Sequence, residues 1–287
     1  AGGKFGGGAY GASGGLHGVG ASVVNALSTK LVAQVDRGGH THELAFSERV
    51  AGHFTGTSFK ASHDLAQVKR ISKTKTGTRI RFWPDREIFD EGALIEAEEI
   101  RQRIIQSCFL VPGMKVRLID KRPGGAEPFE FVSRGGLADL VDHLSVGDNA
   151  CEIITLSGIS EFTERVPVGG KMSDVSRECI VEVALRWVKG YDPRIESFVN
   201  TIPTSQGGTH TAGFDRALTR AVNDVLLKDT RKLARLAKEN KHRATKEDVQ
   251  EGLVAALKVV FPEPQFRGQT KQELGTPAVE KIVYEVV

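Results

Sequence analysis

Cysteine, methionine, tryptophan and tyrosine are all scarce in this 287-residue chain, at three, two, two and three residues. The cysteines, Cys108, Cys151 and Cys179, are odd in number and stand 43 and 28 positions apart, with no tight Cys/His cluster around them. That excludes a fully paired disulfide framework and gives no sign of a zinc site. A reduced, cytosolic setting is the economical expectation. Long apolar runs are missing too: none approaches the roughly 20 residues of a membrane helix, and no basic-then-apolar leader opens the chain. Net charge is nearly absent, since 39 Lys+Arg against 36 Asp+Glu leaves +3. The balance favours neither a basic nucleic-acid coat nor an acidic tail.

What is present suits a globular protein with a real core: 40% hydrophobic and 26% charged residues, in a length that suggests two domains. Glycine is unevenly placed, with ten of 32 in the first 20 residues. A specialised glycine loop needs flanking strands and helices to hold it, so the chain is expected to be a fragment whose beginning has been removed.

Along the chain, Ala21 to Ser28 carries Val23, Val24 and Leu27 at helical spacing. Lys30 to Arg37 alternates, Gly38-Gly39 is a turn signal, and His40 to Phe46 can return as the second strand of a hairpin. Thr57 to Ala61 is a weak strand, Arg79 to Trp83 a convincing one, and Val116 to Asp120 another. Helices are expected over Ala97 to Phe109 and Leu137 to Leu144. Asp148-Asn149 is the best boundary, giving domains over 1–149 and 150–287. Beyond it, strands are expected at Cys151 to Leu156, Ser160 to Val166, Cys179 to Val188 and Arg194 to Asn200. Helices are then expected from Thr211 to about Leu227 and from Val249 to Leu257, the latter introduced by a capping box at Thr245 to Asp248. The class is α+β.

The chemical signal is Ser13-Gly14-Gly15-Leu16-His17-Gly18-Val19-Gly20. Glycines admit close backbone approach, and the following helix offers unpaired N–H groups and its positive end to an anion. No GK[ST] follows, and the full GxGxxG pattern is missing. On these residues alone a phosphate loop and a structural glycine turn both remain open. Lys4, in AGGKF, could meet a terminal phosphate or simply be solvated.

AGGKF, Tyr10, SGGLHGVG and VVNALS together resemble the ATP-binding region of the B subunits of bacterial type IIA DNA topoisomerases, gyrase and topoisomerase IV. The resemblance continues through Thr76-Gly77-Thr78 with RFWPD, then Gly207-Gly208-Thr209-His210 with AGFDRAL, and ends in EPQF and Gly268-Gln269-Thr270-Lys271. It spans essentially the whole chain. GGGAYGASGG, LVPG and SFVNTIPT look more like the topoisomerase IV type, and Gln250 stands where gyrase-like subunits tend to carry arginine.

The resemblance implies the later part of a Bergerat-type (gyrase/Hsp90/MutL class) ATPase α/β sandwich, followed by a transducer domain similar to ribosomal protein S5. It implies ATP and Mg²⁺ as cofactors. Lys4 matches a lysine near the phosphates and Tyr10 a tyrosine on the adenine side. Gly15, Leu16, His17, Gly18, Val19 and Gly20 match the loop whose amides wrap the β- and γ-phosphates. Thr78 matches a threonine that assists adenine recognition, and Arg37 an arginine at the pocket mouth associated with coumarin inhibitors. Gln269 and Lys271 match a loop that reaches the γ-phosphate, where an ammonium stabilises charge developing in the transition state. Without the resemblance, QTK is an unremarkable polar loop and Thr78 a β-former.

The implied partners are duplex DNA, the DNA-cleaving A-type subunit, and a second copy of the B-type chain that dimerises on ATP binding; no membrane is implied. The family's general base, Mg²⁺-binding asparagine and adenine-binding aspartate all precede AGGKF. Hence this polypeptide alone is expected to turn over little ATP, since losing a general base costs roughly 10²–10⁴ in rate. Asp36, Glu43, Asp64, Glu96, Glu98 and Glu99 are not candidates for those roles. The basic run Arg216, Arg220, Lys228, Arg231, Lys232, Arg235, Lys238, Lys241 and Arg243 reads as solvated surface or as a face touching DNA phosphates. The alternatives are an ATP-binding scaffold or signalling protein of the same class, or a generic phosphate binder. GGTH together with the distant QTK argues against both.

Overall fold

A computed structural model describes residues 19–168, 171–228 and 243–287. Within them the chain forms two compact units, divided between Ile95 and Glu96.

The first unit opens with the short helix α1 (Gly20–Ala26), which buries none of its residues. Strands β1 (Ser28–Arg37) and β2 (His40–Ser47) form the expected hairpin, with Arg37 opposite His40. Gly38 and Gly39 turn it at φ +62° and +85°. Two consecutive positive φ values match the twist of the strands they join, which is why glycines stand there. Three further strands extend the sheet: β3 (Val50–Thr55), β4 (Ser58–Ala61) and β5 (Ala66–Arg70). β6 (Gly77–Pro84) pairs with the other edge of β1. The order is β4-β3-β2-β1-β6, with β5 paired to the stretch of β2 that β3 leaves free. The register puts Leu31, Ala33 and Val35 of β1 on one face with Leu44 and Phe46 of β2 and Thr78, Ile80 and Phe82 of β6.

The second unit is a three-layer sandwich. Helix α2 (Ala97–Leu110), the small β7 (Lys115–Leu118) and β8 (Phe129–Val132) pair, and α3 (Leu137–Leu144) precede its sheet. The sheet is built from β9 (Ile154–Val168), β10 (Lys171–Trp187), β11 (Arg194–Val199), β12 (Ile202–Pro203) and β13 (Leu253–Val260), in the order β12-β11-β13-β10-β9. Helices α4 (Thr209–Lys228), α5 (Lys246–Gln250) and α6 (Ala278–Val286) complete it. One core packs Val181, Val183 and Leu257 against Phe214 of α4 and Val279 and Val283 of α6. The other packs Ala184, Val254, Ala256 and Phe198 against Phe109 of α2 and Leu140 and Val141 of α3.

Two expectations are corrected. No helix runs from Val249 to Leu257. The capping box is real, with Thr245 Oγ1 accepting from the Asp248 amide at 3.2 Å, but its helix ends at Gln250. Leu253–Val260 is instead a strand, parallel to β11 and antiparallel to β10. It is covered on both faces and so carries a continuous apolar run, a pattern that periodicity cannot tell from a buried helix. The two strands expected at Cys151 to Leu156 and Ser160 to Val166 are one, because Ser157 and Gly158 pair with Glu182 and Val181 without interruption.

Candidate functional site

Lys4, Tyr10, Gly15, Leu16, His17 and Gly18 lie outside the described residues. Val19 and Gly20 open α1, and both are exposed. Val19 makes no side-chain capping bond, and the first turn holds no acidic residue. Thr78 and Arg37 fall at the same end of the first sheet: Thr78 stands opposite Val35, and Arg37 ends β1 one residue past the Asp36–Gly77 pair. Both are exposed.

At this end of the sheet a cavity of about 560 Å³ is lined by Gln34, Asp36, Thr41, Glu43, Thr78 and Arg79, among others. Its carboxylates are engaged. Asp36 accepts from Thr41 Oγ1 at 2.6 Å and pairs with Lys75 at 3.0 Å, and these bonds hold its carboxyl below the usual range. Glu43 accepts from Gln34 Nε2 at 2.7 Å.

Gln269 and Lys271 sit at the tip of a loop in the second unit. Its two arms pair at Phe266 and Leu274, with the Arg267 amide donating to Glu273 O at 2.9 Å and the Gly275 amide to Gln265 O at 2.8 Å. Arg267 and Glu273 close an ion pair across it at 2.7 Å. The tip turns through Gly268 at φ +94° and Lys271 at φ +57°. Gln269 is exposed and Lys271 half-buried. The tip therefore presents an ammonium and an amide on a braced stem, donors suited to phosphate oxygens.

The first arm is anchored on the β9–β10 hairpin. Buried Arg177 donates to Glu164 at 2.9 Å and pairs with Glu263, while Gln265 Nε2 donates to Glu164. The second arm meets the Gly207–His210 turn, where Gly208 and Leu274 form a parallel bridge. His210, fully buried, meets Thr204 Oγ1 at 2.9 Å, and Thr204 meets Ser197 Oγ of β11 at 2.7 Å. Burial pushes the His210 pKa down to about 4, so its ring is neutral near pH 7. Sequence reasoning uses GGTH only as a marker and misses Gln206, Arg267 and Glu273. The opposite charges six residues apart around QTK are the available signal.

The remaining candidates are placed as follows. Arg216 pairs with Glu280 at 2.6 Å, and Arg220 bonds Tyr284 Oη, so both are tied to α6. Residues 229–242 of the basic run lie outside the described residues. Gln250 donates to Asp215 of α4 at 2.8 Å, beside the Lys246–Asp215 pair. Among the described residues no group of three His, Cys, Asp or Glu could hold a metal ion, so no described residue is assigned to Mg²⁺. None of the described helices is long and apolar enough to cross a membrane.

A family model described as DNA gyrase B matches residues 136–287. The DNA gyrase B protein of Streptococcus pneumoniae is 38% identical over 283 residues, covering 98% of this chain and 39% of that protein. The Enterococcus faecalis DNA gyrase B protein is 37% identical over the same length and shares. This chain thus spans about two fifths of these relatives. The 43K ATPase domain of Thermus thermophilus gyrase B, solved with an aminocoumarin, matches with a TM-score of 0.68 and 34% identity, over 94% of this chain and 64% of that one. The ATP-binding domain of Francisella tularensis topoisomerase IV, solved with a small-molecule inhibitor, matches with a TM-score of 0.66 and 25% identity, over 95% and 67%. The fold is the α/β sandwich of the gyrase/Hsp90/MutL ATPases.

Proposed function

Since the chain belongs to the DNA gyrase B family, we propose that it is part of the ATP-driven clamp of a type II DNA topoisomerase, binding ATP and coupling its hydrolysis to DNA strand passage. Residues 1–149 supply the later part of the nucleotide-binding domain and residues 150–287 the transducer. Duplex DNA, a DNA-cleaving A-type subunit and a second copy of the B-type chain are the partners.

In this reading Lys4 and the amides of Gly15 to Gly20 bind the phosphates. Tyr10 and Thr78 bind the adenine side, and Arg37 stands at the pocket mouth. Bound Mg²⁺ would neutralise phosphate charge. Lys271 places its ammonium on the γ-phosphate and stabilises the charge that grows as the phosphoryl group departs, while Gln269 orients that group. The contact disappears with the γ-phosphate, so hydrolysis can change the preferred arrangement of the two domains.

The observation that supports this reading most is the braced loop: both arms are hydrogen-bonded into the second unit, and Gln269 and Lys271 stand at its turn. The test is steady-state ATP hydrolysis and nucleotide binding in the complete polypeptide that carries these residues. Lys271→Ala should lower kcat roughly a hundredfold, the scale of losing one transition-state donor. Nucleotide Kd should change much less. Equal losses in Kd and kcat, or none in kcat, would overturn the assignment.

A further inference from the structure

We propose that the Gln206–His210 turn is a positioning element for Lys271, serving as a third strand at the base of the Gln269–Lys271 loop and setting where the loop tip stands. The inference rests on the reading of Lys271 just given. Neither Gly208 nor Gln206 touches the nucleotide in it.

The turn grips the arm that follows Lys271. The Gln206 amide donates to Gln272 O at 3.0 Å, the Leu274 amide to Gly207 O at 2.9 Å, and the Thr209 amide to Leu274 O at 3.1 Å. Side chains repeat the grip: Gln206 Nε2 donates to Gln272 Oε1 at 3.1 Å, and Thr209 Oγ1 to Thr276 O at 2.8 Å. The first of these contacts is one residue from Lys271, so its backbone cannot shift far without breaking them.

The turn is itself rigidly held. Thr211 Oγ1 takes the Gly208 amide at 3.0 Å and returns a bond to Gly208 O at 2.9 Å. The Gly207 amide donates to Thr204 O at 2.8 Å, and buried His210 ties the same threonine through its hydroxyl at 2.9 Å. An unbroken hydrogen-bonded path therefore runs from Gln272 through the turn to Thr204 and Ser197 of β11, and the turn opens helix α4.

Gly208 fixes the spacing. Its φ of +133° suits glycine alone, and a Cβ there would stand 2.3 Å from Leu274 O and 2.5 Å from Leu274 N. Any side chain must push the loop arm away. A displacement of about 1 Å at a reacting group can cost about a hundredfold in rate. The other arm is anchored further from the tip, through Glu263 and Gln265, so it does not replace this contact.

The experiment compares Gln206→Ala, Gly208→Ala, Lys271→Ala and the two doubles with Lys271→Ala in the complete polypeptide carrying this chain. It reads kcat, KM for ATP and amide hydrogen exchange over Gln272–Leu274. Gly208→Ala should lower kcat tenfold to a hundredfold, on the order expected for a misplaced group, with KM within about threefold. Gln206→Ala, an exposed position that folding tolerates, should lower kcat a few-fold and raise exchange at Gln272–Leu274. Each double should be no slower than Lys271→Ala alone, because a misplaced lysine and a missing lysine lose the same contact. Multiplying losses in the doubles, parallel loss of kcat and KM, or unchanged exchange in Gln206→Ala would each overturn the positioning role. If Lys271→Ala itself leaves kcat intact, the function proposed for the loop fails. Raised exchange in Gln206→Ala would then still uphold the grip of the turn on the loop.

Discussion

Among the described residues, the two units bury the faces of their sheets to very different degrees. In the second unit helices lie on both sides, and β13 has Leu253, Val254, Ala255, Ala256 and Leu257 all essentially inaccessible. In the first unit β6 is exposed at every position, and Val35, Ile80 and Phe82 of the shared apolar face stand 40%, 56% and 44% exposed. The strands differ to match: LVAALKVV is apolar at seven of its eight positions, whereas GTRIRFWP alternates Arg79 and Arg81 with Ile80 and Phe82, the pattern of a strand with one apolar face.

That contrast can be broken by substitution. Leu257→Ala should cost about 3–4 kcal/mol, since a fully buried leucine loses its transfer energy and leaves a cavity between helix and sheet. Ile80→Ala should cost under about 1 kcal/mol, the usual range for a mostly exposed position. Urea denaturation midpoints for the two variants check both. A loss at Ile80 equal to that at Leu257 would show that the first sheet is covered in solution.

A second difference is chemical. The second unit buries an ionisable ring, and that makes its stability depend on pH. The pKa of His210 lies at about 4 in the fold against an ordinary 6.5 when unfolded, so the unfolded chain binds the proton more tightly between those values. The contribution is complete above pH 6.5, shrinks as the pH falls towards 4, and is flat below. Its full size is about 3 kcal/mol for a shift of this extent. Unfolding titrations from about pH 7 to about pH 4 on wild type and His210→Gln should show this slope in wild type and lose it in the variant. Equal slopes would place the pH dependence elsewhere.

The same contrast explains how far the sequence can be read. The β1–β2 hairpin is legible because its strands alternate and Gly38-Gly39 admits the two positive φ values that a tight hairpin turn needs. Val249 to Leu257 reads as helix because burial of the Leu253–Val260 strand on both faces erases its alternation, and a genuine capping box stands just upstream. Ser157-Gly158 reads as a break, yet Gly158 is the place where Val286 of α6 packs on β9, its missing Cβ leaving room within 2.8 Å of a valine methyl. The loop holding Lys271 stands out only through family resemblance, as its chemistry is a plain polar stretch. Its seat is invisible by any local rule, because Gln206 and Gln272, which meet through one backbone and one side-chain amide bond, are 66 positions apart.

Helix ends give the smallest contrast. Helix α1 of the first unit begins without any side-chain cap, whereas α5 of the second begins on a reciprocal pair. Thr245 Oγ1 accepts from the Asp248 amide at 3.2 Å, and Asp248 Oδ2 accepts from the Thr245 amide at 2.8 Å. Only five residues long, α5 cannot support itself by propagation. It is held at its far end by Trp187 Nε1, which donates to Val249 O at 2.9 Å, and at its start by the box. Thr245→Ala removes the oxygen that satisfies the Asp248 amide and should cost about 1 kcal/mol. Thr245→Ser keeps that oxygen and should cost only a few tenths of this, on the order of 0.3 kcal/mol. Denaturation midpoints separate the two variants, and hydrogen exchange at the Asp248 amide locates the effect. Faster exchange there in the alanine variant alone is the expected result. If both variants lose equally, the threonine methyl rather than its hydroxyl holds this turn, and the difference between the capped and uncapped helices has no energetic consequence.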